Sequence, residues 1–216
     1  MTSDSAKADL GKSLTPLGIS VLALLAERPM HPYEMYQLLV KRREDRIVKV
    51  RPGSLYHAVA RLELQKLVRD VGTDRGGNRP ERTTYEVTDE GRAALKERIA
   101  DVLGTPAREY PIFPLALAES HNLDPENVVT LLRRRTVLLE KDIEELDLIG
   151  SLAQESAVPR VFWLVAEYLR AMQETEMNWL NRLAGEIESG ELPWLDEAMC
   201  RTMQADNEQT VNEDRT

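Results

Sequence analysis

The stretch "RPGSLYHAVARLELQKLVRD", Arg51–Asp70, decides how the chain is read. Pro52 suits the first turn of a helix, where a missing N–H leaves nothing unpaired. Leu55, Val59, Leu62 and Leu67 then form an apolar stripe at helical spacing. Ser54, His57, Arg61 and Tyr56 fall on the opposite, open side. A core helix with a solvated outer face and a helix built for a DNA groove share this pattern, so the flanking sequence must separate them.

Upstream, "LTPLGISVLALLAERP" reads as a helix with Thr15 as N-cap, Pro16 in the first position and Pro29 ending the run. Leu17, Val21, Leu24 and Leu25 share one of its faces. "HPYEMYQLLVKRRE" predicts a second, shorter helix, with Pro32 in its first turn and Glu34 placed to reach back toward His31. Tyr33, Met35, Tyr36, Leu39 and Val40 supply its apolar surface. Downstream the period changes. "LVRDVG" and "TTYEVT" alternate as strands do, and "TDRGGNRPER" between them is a loop with Gly76, Gly77, Asn78 and Pro80. "TDEGRAALKERIADVLG" restarts helix behind Thr88, with Asp89 and Glu90 favourable in the first turn.

Helix, helix, helix, hairpin is the order of a winged helix-turn-helix, whose third helix enters the major groove. In that setting Arg61 can bond guanine, and Ser54 and His57 can reach base edges or phosphates. The helix start at Pro52–Ser54 offers free N–H groups to a phosphate, with Lys49 and Arg51 beside it. Arg75, Asn78, Arg79 and Arg82 give the wing phosphate reach. Two of these residues have a second reading. Tyr56 serves equally as a half-buried packing residue, and Arg61 can pair with Glu63 or Asp70 on the surface.

The charge of −9 over 216 residues argues against a nucleic-acid partner only if it is spread evenly, and it is not. Residues 1–104 carry +3 and residues 105–216 carry −12, and within 41–82 there are 12 basic against 6 acidic residues. A basic segment joined to an acidic half fits two tasks on one chain.

The second half is helical by pattern. "GTPAREYPIFP" reads as a linker or rigid bend. A long helix follows from Asp124 as N-cap and Pro125, its stripe running from Val128 to Leu152. A second spans about 158–188, with Val158, Val161, Val165, Tyr168, Met172, Trp179, Leu183 and Ile187 near heptad spacing. Trp163, Leu164 and Trp179 add apolar surface beyond that seam, more than one chain can cover. Val161, Val165, Tyr168, Met172 and Leu183 are therefore expected at a homodimer contact. Thr175 and Glu176 interrupt the seam and mark a polar contact or a bend. Trp163 and Trp179 have two readings, helix packing or the wall of a site for a flat hydrophobic ligand.

Three quoted segments carry a likeness to a known family. "LTPLGISVLALLAERPMHPYEM", "PGSLYHAVARLELQKLV" and "TTYEVTDEGRAAL", in that order and spacing over residues 14–103, resemble the PadR family of bacterial transcriptional regulators. The helical second half resembles the dimerisation region of the subgroup with a long C-terminus. Lys66 and Pro32 stand where many relatives have glycine. The resemblance implies a homodimeric repressor on a two-fold symmetric double-stranded operator, released by a small aromatic or amphipathic effector.

The expected fold class is mostly α: a winged helix-turn-helix of three helices plus a β-hairpin wing, then a helical C-terminal dimerisation region. The expected divisions are a disordered 1–13, a DNA-binding domain at 14–103, a linker at 104–111, a dimerisation domain at 112–195 and an acidic flexible tail at 196–216. No enzyme is expected. His31, His57 and His121 lack metal-ligand spacing, Cys200 has no CxxC partner, and "RGGNRP" matches no nucleotide-binding fingerprint. No cofactor or metal is foreseen. A single cysteine, no apolar leader and no run long enough for a membrane span point to the cytoplasm.

Overall fold

The computed structural model describes residues 14–74 and 82–194. The chain divides into two compact units between Glu109 and Tyr110, and each is described by itself.

In the first unit, helix α1 (Pro16–Glu27) begins where Thr15 Oγ1 accepts from the Gly18 N–H at 3.2 Å, and ends at the extended Arg28 before Pro29. Helix α2 (Pro32–Lys41) begins at His31, whose Nδ1 accepts from the Tyr33 N–H at 3.0 Å. Glu34 lies low in its titration, chiefly because it hydrogen-bonds Arg28, with the His31 backbone N–H adding to the effect. The Glu34 carboxylate, foreseen to reach back toward the cap, forms an ion pair with Arg28. A 3₁₀ turn at Glu44–Arg46 leads to α3 (Pro52–Leu64).

Helix α3 ends on Lys66, which holds φ at +61°. The Lys66 N–H bonds the Glu63 carbonyl at 2.8 Å and the Leu67 N–H bonds that of Leu62 at 2.9 Å, a closing turn in which glycine is the usual left-handed residue. The lysine therefore keeps the turn that glycine would make, at a local cost in strain. Strands β1 (Val68–Asp74) and β2 (Arg82–Val87) pair antiparallel, with Val68 opposite Val87 and a bulge between Asp70 and Gly72. Met30 adds a short third edge by exchanging two 3.0 Å backbone bonds with Tyr85.

Helix α4 (Asp89–Gly104) is bolted to the end of α3. The Thr88 hydroxyl accepts from the Gly91 N–H at 3.1 Å and donates to the Lys66 carbonyl at 2.8 Å, while the Thr88 N–H bonds the Leu67 carbonyl at 3.0 Å. Gly91 is required here, since a Cβ on it would sit 2.0 Å from the Leu67 carbonyl oxygen. One core joins these elements through Val21, Leu25, Met35, Leu55, Val59 and Leu67, all essentially closed to solvent. Truncating such a leucine to alanine typically costs about 2–5 kcal/mol, so this core sets how α3 is presented.

The second unit holds α5 (Ile112–Ala118), α6 (Pro125–Glu155) and α7 (Leu164–Ser189). Sequence periodicity did not single out α5. Its Phe113 packs on the helical core, with the Arg135 guanidinium 3.7 Å over its ring. Polar ties show that α6 and α7 run antiparallel: Arg133 bonds Glu188, Arg135 bonds Glu176, and Asp147 bonds Arg170. Glu176 is thus a polar contact, one of the two readings its place in the seam allowed. Asp124 sits at the N-cap of α6 as expected, but its carboxylate accepts from the Asn127 side chain at 3.2 Å instead of capping a backbone N–H.

The core of this unit gathers at one end of the hairpin, around Val128, Leu132, Leu139, Leu180, Ala184 and Ile187. Trp194 closes it, packing there while its indole N–H donates to the Leu123 carbonyl at 2.8 Å. Toward the turn the helices bare their apolar residues: Leu148, Leu152, Val161, Phe162, Val165, Tyr168 and Met172 are all exposed. Among the described residues no helix is long and apolar enough to cross a membrane.

Candidate nucleic-acid interface

Helix α3 has two distinct faces. Leu55, Ala58, Val59 and Leu62 are buried, while Pro52, Gly53, Ser54, Tyr56, His57 and Arg61 are exposed. Its first turn has no side-chain cap, because Arg51 at the N-cap position makes no such bond. The N–H groups there remain open to an anion. Lys49 and Arg51 are exposed just before it.

Aromatic rings pair on α2 and between His31 and α3. Tyr56 is 47% exposed and meets the His31 ring edge-on at 6.2 Å. It both packs and stays accessible, so its two readings coexist. Tyr33, 46% exposed, stacks on Tyr36 at 6.4 Å. From sequence pattern alone Tyr33 is apolar surface of α2. Its exposure depends on which side of α2 the core takes, and no short-range pattern reveals that.

Arg61 pairs with neither Glu63 nor Asp70. Its guanidinium donates to Thr15 Oγ1 at 2.8 Å, across 46 positions of sequence, and Asp70 instead accepts from the Gly72 N–H at 2.7 Å.

The basic excess counted over 41–82 is partly spent inside the unit. Arg42 forms two bonds to Glu27, at 2.6 and 2.8 Å, and Arg69 pairs with Glu86 on the neighbouring strand. The Glu27 carboxyl is held below its ordinary range, first by its hydrogen bond to Arg42. Lys49, Arg51 and Arg61 have no carboxylate partner among the described residues, so their charge concentrates around α3. Of the wing positions, Arg75, Asn78 and Arg79 lie outside the described residues. Arg82 opens β2 opposite Asp74.

Residues 21–97 match the family described as "Transcriptional regulator PadR-like family". The chain carries a PadR-like domain. No curated protein matches it. Among solved structures, Bacillus subtilis PadR in complex with operator DNA aligns with a TM-score of 0.67 at 16% identity, over 79% of this chain and 97% of that one. Bacillus subtilis PadR in complex with p-coumaric acid aligns at 0.65 and 16%, over 80% and 98%. A PadR-like transcriptional regulator from Bacillus cereus aligns at 0.57 and 16%, over 80% and 98%. At such identities the likeness is one of fold. It reaches beyond the PadR-like domain into the helical second unit.

In that second unit the five residues expected at a dimer contact divide. Val161, Val165, Tyr168 and Met172 are exposed, from 43% to 66%. Leu183 instead packs against its own unit's core. Neither Trp163 nor Trp179 is buried. The Trp163 indole N–H donates to the Val158 carbonyl at 3.3 Å, its ring lies against Gly150, and Trp179 is 38% exposed. Among the described residues no His, Cys, Asp and Glu cluster could hold a metal ion.

Proposed function

We propose that the PadR-like chain is a homodimeric transcriptional repressor that binds a two-fold symmetric double-stranded operator through α3 and the wing. The carrying observation is the exposed Ser54–His57–Arg61 face of α3 beside an uncapped first turn, with Lys49, Arg51 and Arg61 unpaired by carboxylates among the described residues. Uncompensated cations and free N–H groups suit phosphates, and the side chains suit base edges. Lys49, Arg51, Tyr56 and the wing residues Arg75, Asn78, Arg79 and Arg82 take the backbone contacts. The operator complex of the Bacillus subtilis protein supports this use of the fold.

The bare apolar surface on the first turns of α7 and the 3₁₀ turn before it supports the homodimer. A second copy covering Val161, Val165, Tyr168 and Met172 removes a patch that a monomer leaves wet. Two recognition helices then meet successive major grooves, about 34 Å apart. A small aromatic or amphipathic effector, as the p-coumaric acid complex of the Bacillus subtilis protein suggests, releases the operator by favouring a different spacing of those helices. Trp163 and Trp179 are its candidate contacts. The protein works in the cytoplasm, with the DNA.

The test is selection from a random duplex library with the full-length protein, then anisotropy titration of the enriched duplex against a scrambled one. Selective binding by two protomers is expected, with log affinity falling by about 0.9 per phosphate neutralised for each decade of salt. Failure to enrich any sequence refutes the reading.

A further inference from the structure

Thr15 does two things at once. Its hydroxyl oxygen accepts from the Gly18 N–H at 3.2 Å, capping α1, and from the Arg61 guanidinium at 2.8 Å. The two residues are 46 positions apart and meet because α1 and α3 pack in one core. Among the described residues the Arg61 side chain makes no other hydrogen bond and has no carboxylate partner. Arg92 likewise rests on a neutral acceptor, the Ala26 carbonyl at 3.1 Å, but three other surface arginines of this unit do not. Arg28, Arg42 and Arg69 are each neutralised by a glutamate.

A neutral acceptor holds an arginine without cancelling its charge. One of the five guanidinium N–H groups is used, and the others stay available. A free arginine side chain samples many rotamers, part of which freedom must be lost when DNA orders it. Tethering Arg61 in the unbound protein removes part of that loss from the binding step. Aspartate would cap α1 as well as threonine does, but it would form a charge-assisted pair with Arg61 and withdraw that cation from the phosphates.

We infer that Thr15 is a positioning residue for DNA binding, a charge-neutral tether that holds Arg61 ready for the nucleic acid. This rests on the reading of α3 as the DNA-binding helix. It assigns to the start of α1 a part in recognition that capping alone does not require.

The experiment compares Thr15→Asn with Thr15→Asp in the full-length protein. Both residues cap helices well and are nearly the same size, so thermal unfolding should leave both folded. The probe is the duplex enriched by selection, titrated from 0.05 to 0.3 M salt. T15N should bind within about twofold of wild type. T15D should lose about eightfold in affinity at 0.1 M salt, the worth of one phosphate contact at a slope of 0.9, and its salt slope should fall by about that amount. Arg61→Ala should show the same two losses, and in an R61A background the difference between T15D and T15N should largely vanish.

Equal binding by T15D and T15N overturns the inference while leaving the DNA reading in place. A T15D loss that persists undiminished in the R61A background also overturns it, since the carboxylate then acts on DNA directly. If R61A binds as wild type does, Arg61 is no contact, and its place in the proposed interface falls along with the tether.

Discussion

Gly91→Ala should unfold the DNA-binding unit far more readily than a single methyl group suggests. The Cβ would lie 2.0 Å from the Leu67 carbonyl oxygen and 2.8 Å from a Val87 methyl. A carbon rests about 3.3 Å from a carbonyl oxygen at its closest comfortable approach, so α4 must retreat by roughly 1.3 Å. That movement disrupts the 3.0 Å bond from the Thr88 N–H to Leu67 and the 2.8 Å bond from the Thr88 hydroxyl to Lys66. The two bonds are worth about 1 kcal/mol each, and crowding beside Val87 adds about 1–3 kcal/mol. Alanine's better helix propensity returns about 1 kcal/mol. The net loss is about 3 kcal/mol, which in a domain of this size lowers the melting temperature by about 12–24 °C. Far-UV circular dichroism measures it. Trp163, Trp179 and Trp194 all lie in the second unit, so their emission follows the other half of the chain separately. Gly53→Ala is the control, because a Cβ at that position meets nothing within 4 Å. It should leave the melting temperature unchanged or slightly raised. A G91A loss below about 1 kcal/mol would refute the claim that close approach dictates glycine at this position.

Three further outcomes follow from other parts of the molecule. Gly53→Ala should weaken binding of the enriched duplex several-fold despite intact stability, because a DNA backbone seated on the α3 start meets the new methyl group; anisotropy reads this, and unchanged affinity removes that stretch from the interface. Lys66→Gly should stabilise by up to about 1 kcal/mol in urea unfolding, since φ of +61° strains any residue with a Cβ; a loss of stability would mean that the lysine side chain matters more than the backbone. Burial holds the Glu44 carboxyl above its ordinary value, so its contribution is fully present below the unfolded value near 4.5 and lost as pH rises through the folded one. Glu44→Gln should therefore raise the urea midpoint at pH 7 and match wild type at about pH 4, whereas an equal gain at both pH values would exclude ionisation as the cause.

The α1, α2 and α4 starts were legible because capping is local: Thr15, His31 and Thr88 each act within three residues of themselves. The inward face of α3 was legible for the same reason, since Leu55, Val59 and Leu62 repeat at the helical period and all are buried. Other assignments depended on distant chain. Leu183 lies near the heptad line of the exposed apolar residues on α7, yet it belongs to its own unit's core. The arginines were countable, but which kept their charge free was not. Arg42 finds Glu27 across 15 positions, Arg69 finds Glu86 across 17, and Arg61 finds a hydroxyl across 46.

The sequence by itself determined the order of helices and hairpin, the buried stripe of α3 and the imbalance of charge between the halves. All three arise from periodicity, caps and composition, which act over a few residues at a time. Only the tertiary structure decided that Arg61 rests on Thr15, that Tyr33 stays half exposed on α2, and that Gly91 leaves room for the Leu67 carbonyl. Those are contacts between residues far apart in the chain. They exist because burying one shared core fixes the helices against each other, and the positions of side chains on separate helices follow from that packing alone.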